Sequence, residues 1–218
     1  MTYTVKEIYY TLQGEGANTG RPAVFLRFSG CNLWTGREED RSSAICQFCD
    51  TDFVGGMKYS NAETLAEDVA GQWFGNGTSK RFVVVTGGEP LLQLDPPLIE
   101  SLHNLGFEIA IETNGTIAAP EGLDWICVSP KSGTVIEQRA GNELKLVYPQ
   151  VDRAALGAQH AAPLLDPAQF ERLEFDHFFL QPMDGPQIEQ NTELATRYCL
   201  EHPRWRLSLQ THKLLGIR

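Results

Sequence analysis

The sequence predicts an α/β fold, a parallel sheet with helices packed outside it, formed by one domain over residues 1–218. Three observations carry that expectation. Beyond about residue 20, short β-rich runs alternate with helical stretches, the order that builds crossover units. The β-rich runs are apolar throughout, as strands covered on both faces are. No repeat, low-complexity tract or linker divides the chain.

Taken in order, AVFLRF (Ala23–Phe28) reads as a strand, with a cysteine-bearing segment after it. Ser60-Asn61-Ala62-Glu63 reads as a capping box, in which Ser60 accepts from a free helix N–H and Glu63 reaches back. Leu65, Val69 and Trp73 then recur four apart as one apolar stripe. FVVVT (Phe82–Thr86) is a strand of β-branched residues. The next helix is punctuated at both ends: Asp95 caps it, Pro96 sits in the first turn, and Gly106 ends it. Leu98, Ile99, Leu102 and Leu105 line its apolar face. FEIAIET (Phe107–Thr113), DWICVS (Asp124–Ser129), ELKLVY (Glu143–Tyr148), HFFL (His177–Leu180) and WRLSLQ (Trp205–Gln210) predict further strands. Helices are expected at Ala168–Phe175 and Glu189–Glu201.

Charge narrows the partners. A formal net charge of -10 does not suit a protein that wraps nucleic-acid phosphates, which bind through a basic surface. No apolar run reaches membrane-spanning length, and MTYTVKEIYYTLQGEG lacks the apolar core of a signal peptide. The expectation is a cytoplasmic protein with reduced thiols, acting on a small substrate, with no nucleic-acid or membrane partner.

In parallel sheets the C-terminal strand ends carry the chemistry. Small and polar residues gather there in strand after strand: the cysteine segment after Phe28, TGGEP, ETNG, SPK and QPMD. Cys46-Gln47-Phe48-Cys49 alone is compatible with zinc, redox and iron–sulfur chemistry. A thioredoxin-like pair leaves Cys31 without a task, and a structural zinc needs a fourth ligand that the segment lacks. Cys127, in an apolar run, and Cys199, on a predicted helix, read as ordinary thiols. Three thiolates can instead hold a 4Fe–4S cluster with one iron open.

With TGGEP (Thr86–Pro90), the cysteine segment resembles that of the radical S-adenosylmethionine superfamily. More specific are YYTLQGEGANTGRPAVFLRFSGCN, CDT, TGGEP, ETNGT, SPK and QPMDG, in that order along almost the whole chain. Together they resemble the 7-carboxy-7-deazaguanine synthase family. One feature departs from the superfamily pattern: fourteen residues, NLWTGREEDRSSAI, separate Cys31 from Cys46, where three are usual. Closure entropy grows only logarithmically, so the longer loop costs on the order of 1 kcal/mol.

The resemblance implies an incomplete (β/α)6-type barrel with some helices reduced or missing. It implies a radical-mediated ring contraction of 6-carboxy-5,6,7,8-tetrahydropterin to 7-carboxy-7-deazaguanine with loss of ammonia. Its cofactors are a 4Fe–4S cluster, S-adenosylmethionine and Mg2+; a flavodoxin-like electron donor and a homodimer are also implied.

Carried onto this chain, the resemblance makes Cys31, Cys46 and Cys49 the cluster ligands and Thr51 the magnesium ligand. Cofactor contacts are expected from Phe48, Cys49, Asp50, Gly88, Glu89, Ser129, Pro130, Lys131, Gln181, Pro182, Met183 and Asp184, with the Glu89 carboxylate available to an ammonium. Substrate contacts are expected from Leu12, Gln13, Gly14, Glu15, Thr86 and the terminal Arg218. Arg27 is legible from the residues themselves: a cation inside an apolar strand needs a partner, and a substrate carboxylate is the natural bidentate one. An ion pair with an acid of the chain is the competing reading for Arg27, and a helix cap the competing reading for Thr51. For the whole chain, the rivals are another radical enzyme that activates a partner protein and a zinc-stabilised binding module.

Overall fold

The computed structural model describes residues 2–76, 80–153 and 163–218. Its centre is a sheet of order β3-β1-β2-β4-β5-β6-β7-β8-β9. The strands are β1 (Tyr3–Leu12), β2 (Pro22–Phe28), β3 (Met57–Tyr59), β4 (Arg81–Gly87), β5 (Phe107–Thr113), β6 (Trp125–Val128), β7 (Ala140–Tyr148), β8 (Glu174–Pro182) and β9 (Trp205–Leu207). From β2 to β9 every neighbouring pair is parallel; β1 is antiparallel to β2 and to β3. The sheet stays open, a partial barrel.

Period-two alternation assigns the two faces. Val24, Leu26 and Phe28 of β2, Val83 and Val85 of β4, and Ile109 and Ile111 of β5 point one way. They meet Leu65 and Val69 of α1 (Ala62–Gly71) and Leu98 and Leu102 of α2 (Pro96–Asn104), all fully buried. Leu144 and Leu146 of β7, Phe178 and Leu180 of β8 and Trp205 of β9 continue that layer against Ala195 of α3 (Ile188–Glu201). The opposite face is concave. Phe82, Val84 and Ala110 fill its floor, and polar residues succeed them toward the C-terminal strand ends.

β4, β5, β6, β7 and β8 follow the predicted strands, and α2 has the predicted caps. The Asp95 carboxylate accepts from the Leu98 N–H at 3.2 Å and from the Tyr3 hydroxyl at 2.6 Å. Gly106 follows at φ +80°, a backbone conformation that favours glycine.

Elsewhere tertiary pairing overrides local pattern. The cap of α1 is Asn61, which accepts from Thr64 N–H at 2.8 Å; this shifts the frame by one residue and takes Glu63 out of the expected box. The helix expected at Ala168–Phe175 is a single 3-10 turn, Pro167–Phe170. Strand β8 claims the rest, because Glu174 and Phe175 pair with Ala140 and Gly141 of β7. Strand β9 stops at Leu207, where Ser208 turns to hydrogen-bond Leu180. The sequence reading does not include β1, β3, the short helix α4 (Thr211–Leu215) or the 3-10 turns Gly16–Asn18, Glu38–Ser43 and Pro90–Leu92. Among the described residues, no helix lies between β5 and β6 or between β6 and β7.

Candidate active site

A cleft of about 530 Å3 opens at the C-terminal ends of the parallel strands. Alternate residues reach it from the concave face: Phe25 and Arg27 of β2, Thr86 of β4, Glu112 of β5, Lys145 and Val147 of β7, and Gln181 of β8. Within the strands they alternate with side chains of the helix-covered layer, such as Leu26, Val85, Ile111, Leu146 and Leu180.

Cys31, Cys46 and Cys49 all face this cleft; Cys127 and Cys199 do not. Their convergence depends on how the long insertion closes. The Leu33 carbonyl accepts from the Ile45 and Cys46 N–H groups, at 3.1 and 3.5 Å, and so brings the chain back beside its own start. Arg41, lying 4.0 Å over the Trp34 ring, donates to the carbonyls of Gln47 and Cys49 at 2.9 and 3.0 Å. Trp34, Ala44 and Phe53 form a small core beneath, against which Cys31 and Cys49 pack. The glycine pair of TGGEP then seats the first cysteine. A Cβ on Gly88 would lie 2.1 Å from the Gly30 carbonyl oxygen and 2.8 Å from Cys31 Cβ. Only glycine allows that approach.

The three thiols are electrostatically unequal. Hydrogen bonding between Cys46 and Cys49 lowers the Cys49 pKa to about 6 and raises that of Cys46; burial raises that of Cys31. All five cysteines are free. Among the described residues, no three His, Cys, Asp or Glu side chains form a group set to hold one metal ion. As a donor set, three thiols lining one cleft, with Gly88 against Cys31, fit a cluster held by three cysteines once the loop draws them together.

Most residues predicted to touch a cofactor also line this cleft: Phe48, Asp50, Gly88, Ser129, Lys131, Gln181, Pro182, Met183 and Asp184. Lys131 Nζ donates to the Ser129 carbonyl and hydroxyl, each at 2.7 Å, and stands 6.0 Å from the Phe48 ring centre. Glu89 and Pro130 lie outside the lining. Glu89 is fully buried, and its carboxylate accepts from Leu91 N–H, Thr113 Oγ1 and Asn114 N–H at 3.0, 2.8 and 2.8 Å. In this structure that carboxylate braces the ends of β4 and β5. Thr51 lines the cleft in extended chain with no helix after it, so the capping reading of that residue is excluded.

Leu12, Gln13, Gly14, Glu15, Arg27, Thr86 and Arg218 line the same cleft. Arg27 has an internal acid: Nε donates to Glu7 at 2.8 Å and Nη2 to the Tyr9 hydroxyl at 3.0 Å. Arg27 therefore has the internal ion pair of the competing reading, through one nitrogen only. Arg218 pairs with the other oxygen of Glu7, and its guanidinium lies 4.4 Å from the Tyr9 ring centre. The tail is therefore anchored to β1. Helix α4 holds it across the opening: Thr211 donates backbone and hydroxyl to the Gly14 carbonyl at 2.9 and 3.0 Å. Lys213 bridges Asp50 and Asp184 at 2.8 and 2.6 Å. A Cβ on Gly14 would lie 2.2 Å from His212 Nδ1, so any larger residue there displaces the His212 side chain.

Several polar lining residues have no role in the sequence reading, among them Glu7, Tyr9, Glu112, Lys145, His212 and Lys213. Lys145 carried the signal that singled out Arg27, a cation between strand leucines. His212 and Lys213 carried none.

No family model matches the chain. Whole-sequence comparison finds proteins named 7-carboxy-7-deazaguanine synthase from Bradyrhizobium diazoefficiens at 60% identity and Caulobacter vibrioides at 58%, each with both chains covered end to end. One from Bacteroides thetaiotaomicron is 41% identical, again over both full chains. Among solved structures, the crystal structure of QueE from Escherichia coli matches with a TM-score of 0.67 at 30% identity, covering 96% of this chain and 94% of that one. With such identity over its full length, added to the cysteine-lined cleft of an open parallel barrel, the chain belongs to the 7-carboxy-7-deazaguanine synthase family.

Proposed function

We propose that this chain converts 6-carboxy-5,6,7,8-tetrahydropterin to 7-carboxy-7-deazaguanine with loss of ammonia. The carrying observation is the convergence of Cys31, Cys46 and Cys49 beside Gly88 in one cleft of a chain 60% identical to a named synthase. A 4Fe–4S cluster with S-adenosylmethionine, when bound, supplies the radical that starts the ring contraction. The rest is binding, orientation and exclusion of water, which fall to the protein.

In this reading Cys31, Cys46 and Cys49 hold the cluster, with Cys49 most readily deprotonated. Phe48, Asp50, Gly88, the Ser129–Lys131 segment and the Gln181–Asp184 segment bind S-adenosylmethionine. Glu89 supports that site from behind by holding the Thr113 and Asn114 backbone in place. Thr51 is a magnesium ligand, sharing the ion with substrate and water. The pterin lies over Leu12–Glu15 and Thr86. Its carboxylate displaces Glu7 from Arg27 or joins it there, and Arg218 supplies a second positive charge at that end. A flavodoxin-like donor delivers the electron, and the enzyme acts in the cytoplasm as a homodimer.

Anaerobic reconstitution with iron and sulfide, followed by addition of S-adenosylmethionine, magnesium, strong reductant and the carboxypterin, tests this. The expected result is a brown protein that releases 7-carboxy-7-deazaguanine. Deoxyadenosine without deazaguanine would point to a different radical enzyme. One zinc without iron would favour the binding module.

A further inference from the structure

Lys145 lies at the middle of β7 between Leu144 and Leu146, with its side chain 3% exposed. Such a cation is stable only if compensated. Its Nζ meets Glu15 Oε2 at 2.7 Å and Glu112 Oε2 at 3.3 Å. The remaining oxygen of each acid is also occupied: Gln210 Nε2 donates to Glu15 Oε1, and Gln13 Nε2 to Glu112 Oε1, both at 2.8 Å. Gln13 Oε1 accepts in turn from the Glu15 N–H at 3.1 Å. One ammonium thus ties together the turn after β1, the end of β5 and the approach to α4. Of these five side chains only Gln13 and Glu15 are expected from the sequence to meet a ligand, and all five line the cleft.

We propose that Lys145 is a positioning residue for the pterin: it fixes Gln13, Glu15 and Glu112 as a rigid row of acceptors and donors facing the flat, N–H-rich edge of the heterocycle. This rests on the functional reading above. The titratable groups that face the row are Lys145 itself, Glu143 from the same strand, the Cys127 thiol from β6, which burial keeps protonated, and His212 from α4. Burial alone would raise the Glu15 pKa; Lys145, with help from Gln210 and His212, brings it down to about 2. Without Lys145, the burial that raises the Glu15 pKa is opposed only by Gln210 and His212, so Glu15 takes up a proton at higher pH than in the parent. The row then changes from acceptor to donor at one position.

The test is K145M and K145R holoenzyme, with affinity for the stable analogue 6-carboxypterin measured anaerobically by fluorescence from pH 5.5 to 9. K145M is expected to bind the analogue at least tenfold more weakly at pH 7, with a new pH dependence that the parent lacks. K145R is expected to recover most of the affinity. Iron content and S-adenosylmethionine affinity are expected to stay within twofold. Should K145M not fold, the charge-matched E15Q/K145M pair keeps the comparison. It is expected to bind the analogue weakly at every pH, with no new ionisation. Parent-like analogue affinity in K145M or the pair, or equal losses for analogue and S-adenosylmethionine, would overturn the positioning role. A parent enzyme that binds no carboxypterin would instead overturn the substrate assignment, which separates the two failures.

Discussion

Arg27 and Lys145 pose one problem twice, a cation set among strand hydrophobes, and the chain solves it differently. Lys145 is locked between two carboxylates with its side chain 3% exposed; Arg27, with its side chain 17% exposed, has Glu7 and Tyr9 as partners and also lines the cleft. That exposure to the cleft is what makes Arg27 suited to a substrate carboxylate. Replacing Arg27 with Ala is expected to weaken carboxypterin binding by about a hundredfold, the roughly 3 kcal/mol of a charge-assisted pair. S-adenosylmethionine binding should change little, and parallel titrations of the two ligands check the difference. Thr51→Ala is expected to lose most of the stimulation by magnesium while keeping its iron, read from activity against magnesium concentration.

The TGGEP turn after β4 places the cysteine loop, and its tolerance is small. Gly87, at φ +140°, and Gly88 lie against the backbone of Phe28 and Gly30, where a methyl group would collide with main-chain atoms that cannot move aside. Gly88→Ala is therefore expected to displace Cys31 and lose most of the cluster, measured as iron per chain, with the helical core intact by circular dichroism. The cap of α2 offers a contrasting case. Asp95→Ala removes a carboxylate that serves both the Leu98 N–H and the Tyr3 hydroxyl, and is expected to destabilise the fold by about 1–2 kcal/mol in urea unfolding. That change should leave the cleft unaffected, because Asp95 lies on the helix-covered side.

Across the whole chain, the C-terminal segment closes what the sheet leaves open. Helix α4 buries no side chain fully, yet Gln210, Thr211, Lys213 and Arg218 bind four separate parts of the cleft rim. Deleting residues 211–218 is expected to weaken carboxypterin binding by about tenfold or more while shifting the melting temperature little, since exposed contacts contribute little to stability. Acid stability follows from the same network. The Glu15 pKa lies near 2 in the folded chain against an ordinary 4.5. A lowered carboxylate pKa stabilises the fold above its unfolded value and loses that contribution as pH falls through the folded one. Glu15 is thus expected to contribute to unfolding between about pH 4.5 and 2, and E15Q to flatten that part of a stability–pH curve.

Much of this could be read before any coordinates, and for local reasons. Apolar runs such as FVVVT and FEIAIET have one use in a chain of this class, and the Asp95, Pro96 and Gly106 signals depend only on backbone chemistry. The cysteines and their flanking motifs were readable because iron, sulfur and sugar contacts demand particular residues at particular places. Strand β1 was harder: YTVKEIYYTL is half polar, and its place beside β2 depends on pairings such as Glu7 with Arg27 that are twenty residues apart. The segment from Ala168 shows the reverse case, a helical pattern overruled when β7 offered ladder hydrogen bonds to Glu174 and Phe175.

Composition and spacing alone predicted a parallel α/β scaffold and an arginine in need of an anion, while the open barrel and the shared task of three thiols followed from the family resemblance. They could not establish that Glu89 faces inward, that Lys145 joins Glu15 to Glu112 across 130 and 33 residues of chain, or that the tail lies on β1. Those outcomes depend on which side chains meet when the sheet curls. A strand's pattern says which of its faces is buried, but the partner across a cleft is chosen only when distant strand ends are brought together.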